Sequence, residues 1–471
     1  MLFPSLQFAG FMLLLLAILA LLRGQPARKL LLLVASYLFY MAWNPAFIIL
    51  IIFSSFVDWF VGAALEHEER RQRRMGLLLV SLVANLGLLA WFKYSGFLSA
   101  MLLGFSRELG LGWHWQWPEI TLPVGISFYT FQTLSYSIDI YARRIRPARS
   151  LLDYALYVAF FPQLVAGPIV RAREFLPQLT QGIRLRLTPK AVSLISGGLV
   201  KKVVIADNLA PYVDAVYGNP ASFSGPDILL ATLCFSTQIY CDFSGYSDMA
   251  IGLASIFGLE LPRNFNYPYF AQGASDFWRR WHITLSRWLR DYLYIPLGGN
   301  RHGTARTYLN LMLTMLLGGL WHGAGWTFIL WGAWHGLLLV LQRLNPLERA
   351  LSRPAWRLPV KLSSWLLFQA CVLFGWMLFR AADWFSLGEL LGGLQRFGHG
   401  WQLQRLDNVE LFTVLGVLLI FWCSHMLMYQ RQRRIRREPS WRSAMATLAA
   451  STVLLSLLWP ADSAPFIYFQ F

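Results

Sequence analysis

Charge is what this 471-residue chain has least of: Asp, Glu, Lys and Arg make up 14% of it. A soluble chain carries about a quarter charged residues, so a soluble globular domain is excluded. Cysteine is scarce too. Cys234, Cys241, Cys371 and Cys423 all fall in apolar runs, which excludes a disulfide framework and a cysteine metal motif. No His-Glu-x-x-His occurs and no Gly-x-Ser-x-Gly elbow surrounds a serine, so the zinc-peptidase and serine-hydrolase signatures are both missing. The short alternating segments of a membrane β-barrel are missing as well. The opening stretch, "MLFPSLQFAGFMLLLLAILALLRGQPARK", has no basic region before its apolar run. It reads as a first transmembrane helix rather than a cleaved signal.

What is present is hydrocarbon. The chain is 56% hydrophobic and 16% aromatic, and its runs approach the ~20 residues that cross a bilayer. The fold class is therefore an all-α polytopic membrane protein. Apolar spans lie near 5–22, 30–43, 46–64, 76–92, 121–142, 191–207, 228–258, 362–379, 409–429 and 443–459, with a pair around 307–342. With re-entrant pieces this predicts one membrane domain, residues 1–471, of about eleven or twelve crossings. The net charge of +17 lies in short basic clusters between apolar runs, which is the positive-inside pattern and not a nucleic-acid surface. Clusters after the first, third and fifth spans put those loops, with 343–361 and 431–437, in the cytoplasm. Both termini are then external, as is 94–120 with its "WHWQW".

Three stretches break the hydrocarbon pattern. Residues 151–177 carry Pro162, Gly167 and Pro168 at their centre, and irregular backbone at depth must be buried in protein, so a re-entrant segment is expected. "QIYCDFSGYSDMAIG" places Asp242 and Asp248 in apolar surroundings. They read as bridging or capping helices around a polar break at "SGYS"; an ion-coupled transporter would use them instead, although no inverted repeat accompanies them. The third stretch, "GGLWHGAGWTFILWGAWHG" (Gly318–Gly336), holds His322 and His335.

His322 is expected at a break inside the bilayer, where Gly318, Gly319, Gly323 and Gly325 permit close approach of backbone or ligand. The two histidines are thirteen residues apart. That is about 220° round a helix and about 20 Å along it, so they cannot chelate one metal. The default for a membrane histidine is hydrogen bonding between helices, and His335 is read that way. For His322 the break favours chemistry: an imidazole with an ordinary pKa of ~6.5 takes a proton from a hydroxyl and returns it to a leaving group. Upstream, "SDFWRRWHITLSRWLRDYLYIPLGGN" (Ser275–Asn300) reads as one amphipathic interfacial helix. Arg279, His282, Ser286 and Arg290 share a stripe opposite Trp281, Leu285 and Trp288. The bland reading is membrane anchoring; the sharper one is a cavity for an anionic, phosphate-bearing ligand.

Five stretches together resemble the membrane-bound O-acyltransferase family, in its bacterial branch of alginate O-acetylation and teichoic-acid D-alanylation proteins. They are "LPVGISFYTFQTLSYSIDIY" (Leu122–Tyr141), "FPQLVAGPI" (Phe161–Ile169), "DFSGYSDMAIG" (Asp242–Gly252), "FWRRWHITLSRWLRDYLYIPLGGNR" (Phe277–Arg301) and "LLGGLWHGAGWTFILWGAWHG" (Leu316–Gly336). The resemblance implies a multi-helix funnel, with the signature histidine at His322 and a second at His282. It implies an acetyl-CoA donor, for whose phosphates the stripe of Arg279, Ser286 and Arg290 is the expected contact; no metal is expected from the histidine spacing. It further implies hand-off to a periplasmic SGNH-type acetyltransferase beside polysaccharide synthase and export machinery, at a bacterial inner membrane. Long-chain lipid or protein acylation is the alternative within the superfamily. The aromatic tail "PFIYFQF" (Pro465–Phe471) reads as an interface anchor on composition. Its likeness to the ending of the D-alanylation pathway's small partner implies instead that Tyr468 carries the acyl group.

Overall fold

The computed structural model describes residues 3–344, 357–396, 408–434, 438–460 and 464–467, and every regular element among them is helical. Residues 345–356 and 435–437 of the basic loops expected at 343–361 and 431–437 lie outside the described residues, as does Tyr468. The helices are α1 (Leu6–Leu21), α2 (Gln25–Met41), α3 (Ile48–His67), α4 (Arg71–Leu89), α5 (Ser95–Glu108), α6 (Ile126–Tyr141), α7 (Leu151–Ala159), α8 (Phe161–Leu164), α9 (Ala172–Gln181) and α10 (Pro189–Leu199). After them come α11 (Asp207–Gly218), α12 (Gly225–Ile256), α13 (Ala274–Trp278), α14 (Ile283–Leu289), α15 (Gly303–His322) and α16 (Trp326–Leu344). The last four are α17 (Arg357–Arg380), α18 (Trp384–Gly393), α19 (Asn408–Arg434) and α20 (Trp441–Leu457). Five stretches of these are long and apolar enough to cross a membrane: Pro45–His67, Arg71–Glu108, Trp326–Leu344, Lys361–Arg380 and Leu411–Arg431. Other expected spans are shorter, like the 16-residue α1, or carry aspartates, like α12.

The contacts group into two compact units. The first comprises Met1–Ala191 and Met249–Pro262. Its centre is polar. Asp58 on α3 accepts from Ser81 Oγ and from Asn85 Nδ2 (2.8 Å) on α4, and from Ser137 Oγ (2.9 Å) on α6. Where these helices end, buried Arg74 donates to the carbonyls of Leu65, Ile140 and Tyr141, supplying partners that the last turns of α3 and α6 lack. The expected break, buried in protein, is found here. The chain breaks between α7, α8 and α9, and every residue from Tyr154 to Ala172 is buried. The freed backbone is satisfied internally: Tyr157 Oη lies 3.1 and 3.0 Å from the Gln132 and Val170 carbonyls, and Gln163 Nε2 donates to Tyr157 O at 2.7 Å.

Much of the region 94–120, expected to be external, is helical. α4 runs through a π turn at Ala90–Tyr94 into α5, which passes Gly96 and Gly104 without breaking and contains no proline. The Trp-rich segment follows only after it.

The second unit comprises Val192–Asp248 and Arg263–Phe471. α15 and α16 form a tight hairpin in which small residues replace side chains. A Cβ on Gly319 would lie 2.2 Å from the Phe328 carbonyl oxygen, and one on Gly332 would lie 2.4 Å from that of Met315. α12 passes unbroken through "SGYS", contrary to the expected break. Gly245 packs against the Gly198 carbonyl, so its small size serves close helix packing and not a kink.

Candidate active site

His322 is the last residue of α15. The helix stops because Gly323 turns extended (φ −157°), and the space a Cβ would take there is filled by the Phe328 ring. The break predicted from the glycines is therefore real, and a phenyl ring occupies the room that the missing side chain leaves. His322 is 4% exposed. Its ring meets Trp321, Trp331 and Phe379 edge-on at centroid distances of 4.9, 5.0 and 5.3 Å.

His282 reaches the same place by a different route. The expected single helix over Ser275–Asn300 does not exist; it is divided into α13, α14 and a π turn at Arg290–Tyr294. The divide is His282 itself, in the left-handed region at φ 40°, a conformation that costs a non-glycine residue free energy. The surroundings hold it there. Asn264 Oδ1 lies 3.1 Å from His282 Nδ1 and accepts from Thr284 N (3.3 Å) and Thr284 Oγ1 (3.0 Å), while the Asn264 carbonyl accepts from Ile283 N (2.9 Å). Three donors converging on one amide oxygen fix its identity as oxygen, so His282 carries its proton on Nδ1 and presents the Nε2 lone pair.

The kink separates the residues that the stripe would have aligned. His282 is fully buried, with Phe243 edge-on at 4.7 Å and the His322 centroid 6.4 Å away. That separation is too long for the two imidazoles to bond directly, which needs about 2.7–3.2 Å between heavy atoms. Arg279 and Arg290 instead point outward, with side chains 71% and 59% exposed, and pair with Asp276 and Asp291. Ser286 Oγ donates to the Trp281 carbonyl. The three donor-binding candidates therefore do not join His282. Arg279 alone lines a polar groove of about 730 Å³ with Asn300, Thr304, Tyr308, Gln342 and Arg343. Trp281, Leu285 and Trp288 are buried inside the protein, where an interfacial helix would have turned that face to lipid.

His335 makes none of the interhelical hydrogen bonds expected of it. Among the described residues neither ring nitrogen has a partner. The ring stacks on Phe277 (12° between planes) and meets Trp278 and Trp331 edge-on, so aromatic packing took the place of the bond. Asp242 and Asp248 do bridge helices. Lys201 Nζ lies 2.6 Å from Asp248 Oδ2, and Lys202 Nζ lies 2.9 Å from Asp242 Oδ1. The sequence reading passed over both lysines, although two adjacent ammonium groups within an apolar span were a usable signal. It also passed over Asn264, whose only mark is its place in "LPRNFNYPYF" ahead of the Arg-Trp-His motif.

Helices long and apolar enough to cross a bilayer, and two buried imidazoles each set at the end of a helix, describe an integral-membrane protein with a candidate histidine site. Residues 141–382 match the sequence profile of the membrane-bound O-acyltransferase family, and the chain belongs to that family. It is an integral-membrane acyltransferase. It is 38% identical to the probable alginate O-acetylase AlgI of Pseudomonas putida over 96% of both chains. It is 39% identical to the peptidoglycan O-acetyltransferase of Helicobacter pylori, over 78% of this chain and 73% of that one. A more distant likeness, 28% over 46% of this chain and 58% of the other, is to the teichoic acid D-alanyltransferase of Bacillus subtilis.

Proposed function

We propose that this protein moves acetyl groups from cytoplasmic acetyl-CoA across the bacterial inner membrane for O-acetylation of an exported polysaccharide. Two relatives named as O-acetylating enzymes of alginate and of peptidoglycan, similar over most of the chain, support the substrate class. The observation that carries the reading is His322, buried at the end of α15 and 6.4 Å from His282, within the segment that matches the family.

In the proposed step the Tyr468 phenolic oxygen attacks the thioester carbonyl carbon. A C–O bond forms, the C–S bond breaks, and the phenolic proton passes by way of His322 to the departing thiolate, releasing coenzyme A as the thiol. A phenol (pKa ~10) is a better leaving group than a sugar alkoxide, so thioester to aryl ester to sugar ester runs downhill. A periplasmic SGNH-type acetyltransferase would take the group from the aryl ester and deliver it to the polymer, and both termini of this chain would face that side. Cellulose or another exopolysaccharide is preferred over alginate as acceptor. The groove lined by Arg279 and Arg343 supplies guanidinium forks suited to the donor's phosphates. A transporter loses its support here, because Asp242 and Asp248 are held in ion pairs with neighbouring lysines.

The test is complementation. In cells lacking their own copy, wild-type protein is expected to restore ester-linked acetate on the secreted polysaccharide, and Tyr468→Phe is expected not to. Failure of the wild type to change acetate on any secreted glycan would overturn the function. Equal restoration by Tyr468→Phe would overturn the carrier role.

A further inference from the structure

The tail is gripped by the backbone just ahead of Tyr468. Lys202 lies in the π turn Val200–Ala206, Asp207 opens α11, and Asp242 sits mid-way along α12; all three are at most 5% exposed. The Lys202 ammonium lies 2.8 Å from Asp207 Oδ1 and 2.9 Å from Asp242 Oδ1, and it donates to the Ala464 carbonyl at 3.0 Å. An ammonium has three donors, and three acceptors surround this one. The other Asp242 oxygen, Oδ2, accepts the Ile467 N–H at 2.6 Å. Two backbone groups three residues apart are thus held by one buried cluster.

Between those two points the Phe466 side chain is 2% exposed and packs on Tyr246 and Phe243, at centroid distances of 5.1 and 6.1 Å. Phe243 is the residue after Asp242, and its ring is the one set edge-on against His282. The cluster therefore does more than close the end of the fold. It sets the tail one aromatic ring away from the histidine pair. Tyr468 follows Phe466 by two residues, at most about 7 Å of chain.

We propose that Lys202, Asp207 and Asp242 form a latch that seats the chain's own C-terminal segment beside the histidines. Asp242 is then a positioning residue for acyl transfer to the tail. This rests on the carrier reading of Tyr468. The grip falls on a carbonyl and an N–H rather than on side chains, so it fixes the register of the tail along the site.

The test combines hydrogen exchange of the C-terminal peptide with acetyl transfer in the full-length purified protein. Ile467→Pro removes the N–H that Asp242 accepts while leaving the Lys202, Asp207 and Asp242 side chains in place; Asp242→Asn alters the cluster itself; Ile467→Val keeps the N–H as control. Wild type and Ile467→Val should show tail amides protected at least tenfold over the other two variants, with acetyl on the tail falling at least tenfold in those two. Added p-cresol, a free phenol, should restore His322-dependent release of coenzyme A in Ile467→Pro. Equal tail exchange in all four proteins would overturn the latch whatever carries the acetyl. Loss of protection with undiminished tail acetylation would overturn the positioning role. A protected wild-type tail that never acquires acetyl, in a protein that acetylates p-cresol, would overturn the carrier reading, and the positioning role with it.

Discussion

Two buried polar clusters, one in each compact unit, meet the same constraint differently. Around Asp58 in the first unit, the donors are the short side chains of Ser81, Asn85 and Ser137 on two neighbouring helices, and Thr133 Oγ1 reaches Asn85 at 3.1 Å. That network is closed: regular helices, neutral donors and nothing reaching in from elsewhere. In the second unit the polar groups come with backbone that departs from the regular helix. His282 sits at positive φ, His322 at a helix end and Lys202 in a π turn, and the Lys202 cluster holds a segment 262 residues distant in sequence. A buried carboxylate is thus a poor guide to function on its own. On the proposed function, local strain and an engagement with something that arrives from elsewhere are what separate working polarity from structural glue.

That contrast can be broken at either end. The largest effect is expected from His322→Ala. Acetyl-CoA-dependent release of coenzyme A should fall by about 10²–10⁴-fold, the usual contribution of a general base, with the melting temperature within a few degrees of wild type. Unchanged turnover would move His322 into the structural group. Asn264→Leu comes next: it leaves the His282 Nδ1–H and Thr284 without their acceptor. A side chain misplaced by about 1 Å costs up to about a hundredfold in rate, so kcat should fall while KM for the donor stays near wild type. Combined Arg279→Ala and Arg343→Ala should do the reverse, raising KM for acetyl-CoA about tenfold with kcat retained, as loss of hydrogen bonds to charged groups requires. Smallest in activity is Asp58→Ala. Three donors lose their acceptor, each worth about 1–3 kcal/mol, so thermal stability should drop while turnover per folded molecule stays within twofold. A large loss of turnover in that variant would erase the distinction drawn between the two clusters.

Most helices were legible because hydrocarbon length and breaking residues are local signals. Pro162, Gly167 and Pro168 marked the broken, buried segment, and Gly323 marked the end of α15. The α5 helix was hidden because tryptophans and a polar loop follow it directly, which made the whole region read as external. At the site, periodicity misled. A 100° wheel presumes an unbroken helix, and a single residue at positive φ turned His282 inward while leaving Arg279 and Arg290 outside. Other partners of the histidines were illegible for another reason: Asn264, Phe243 and Phe379 lie outside the quoted histidine motifs, and only the fold brings them together. The glycines were read correctly as sites of close approach, and the thing approaching proved to be helix backbone and a phenyl ring.

The most direct measurement is the mass of the C-terminal peptide after purified protein is incubated with acetyl-CoA. The account predicts one added acetyl group at Tyr468 in the wild type and none in His322→Ala. Acetyl appearing equally in both proteins would contradict it, as would a wild-type peptide that stays unmodified while coenzyme A is released.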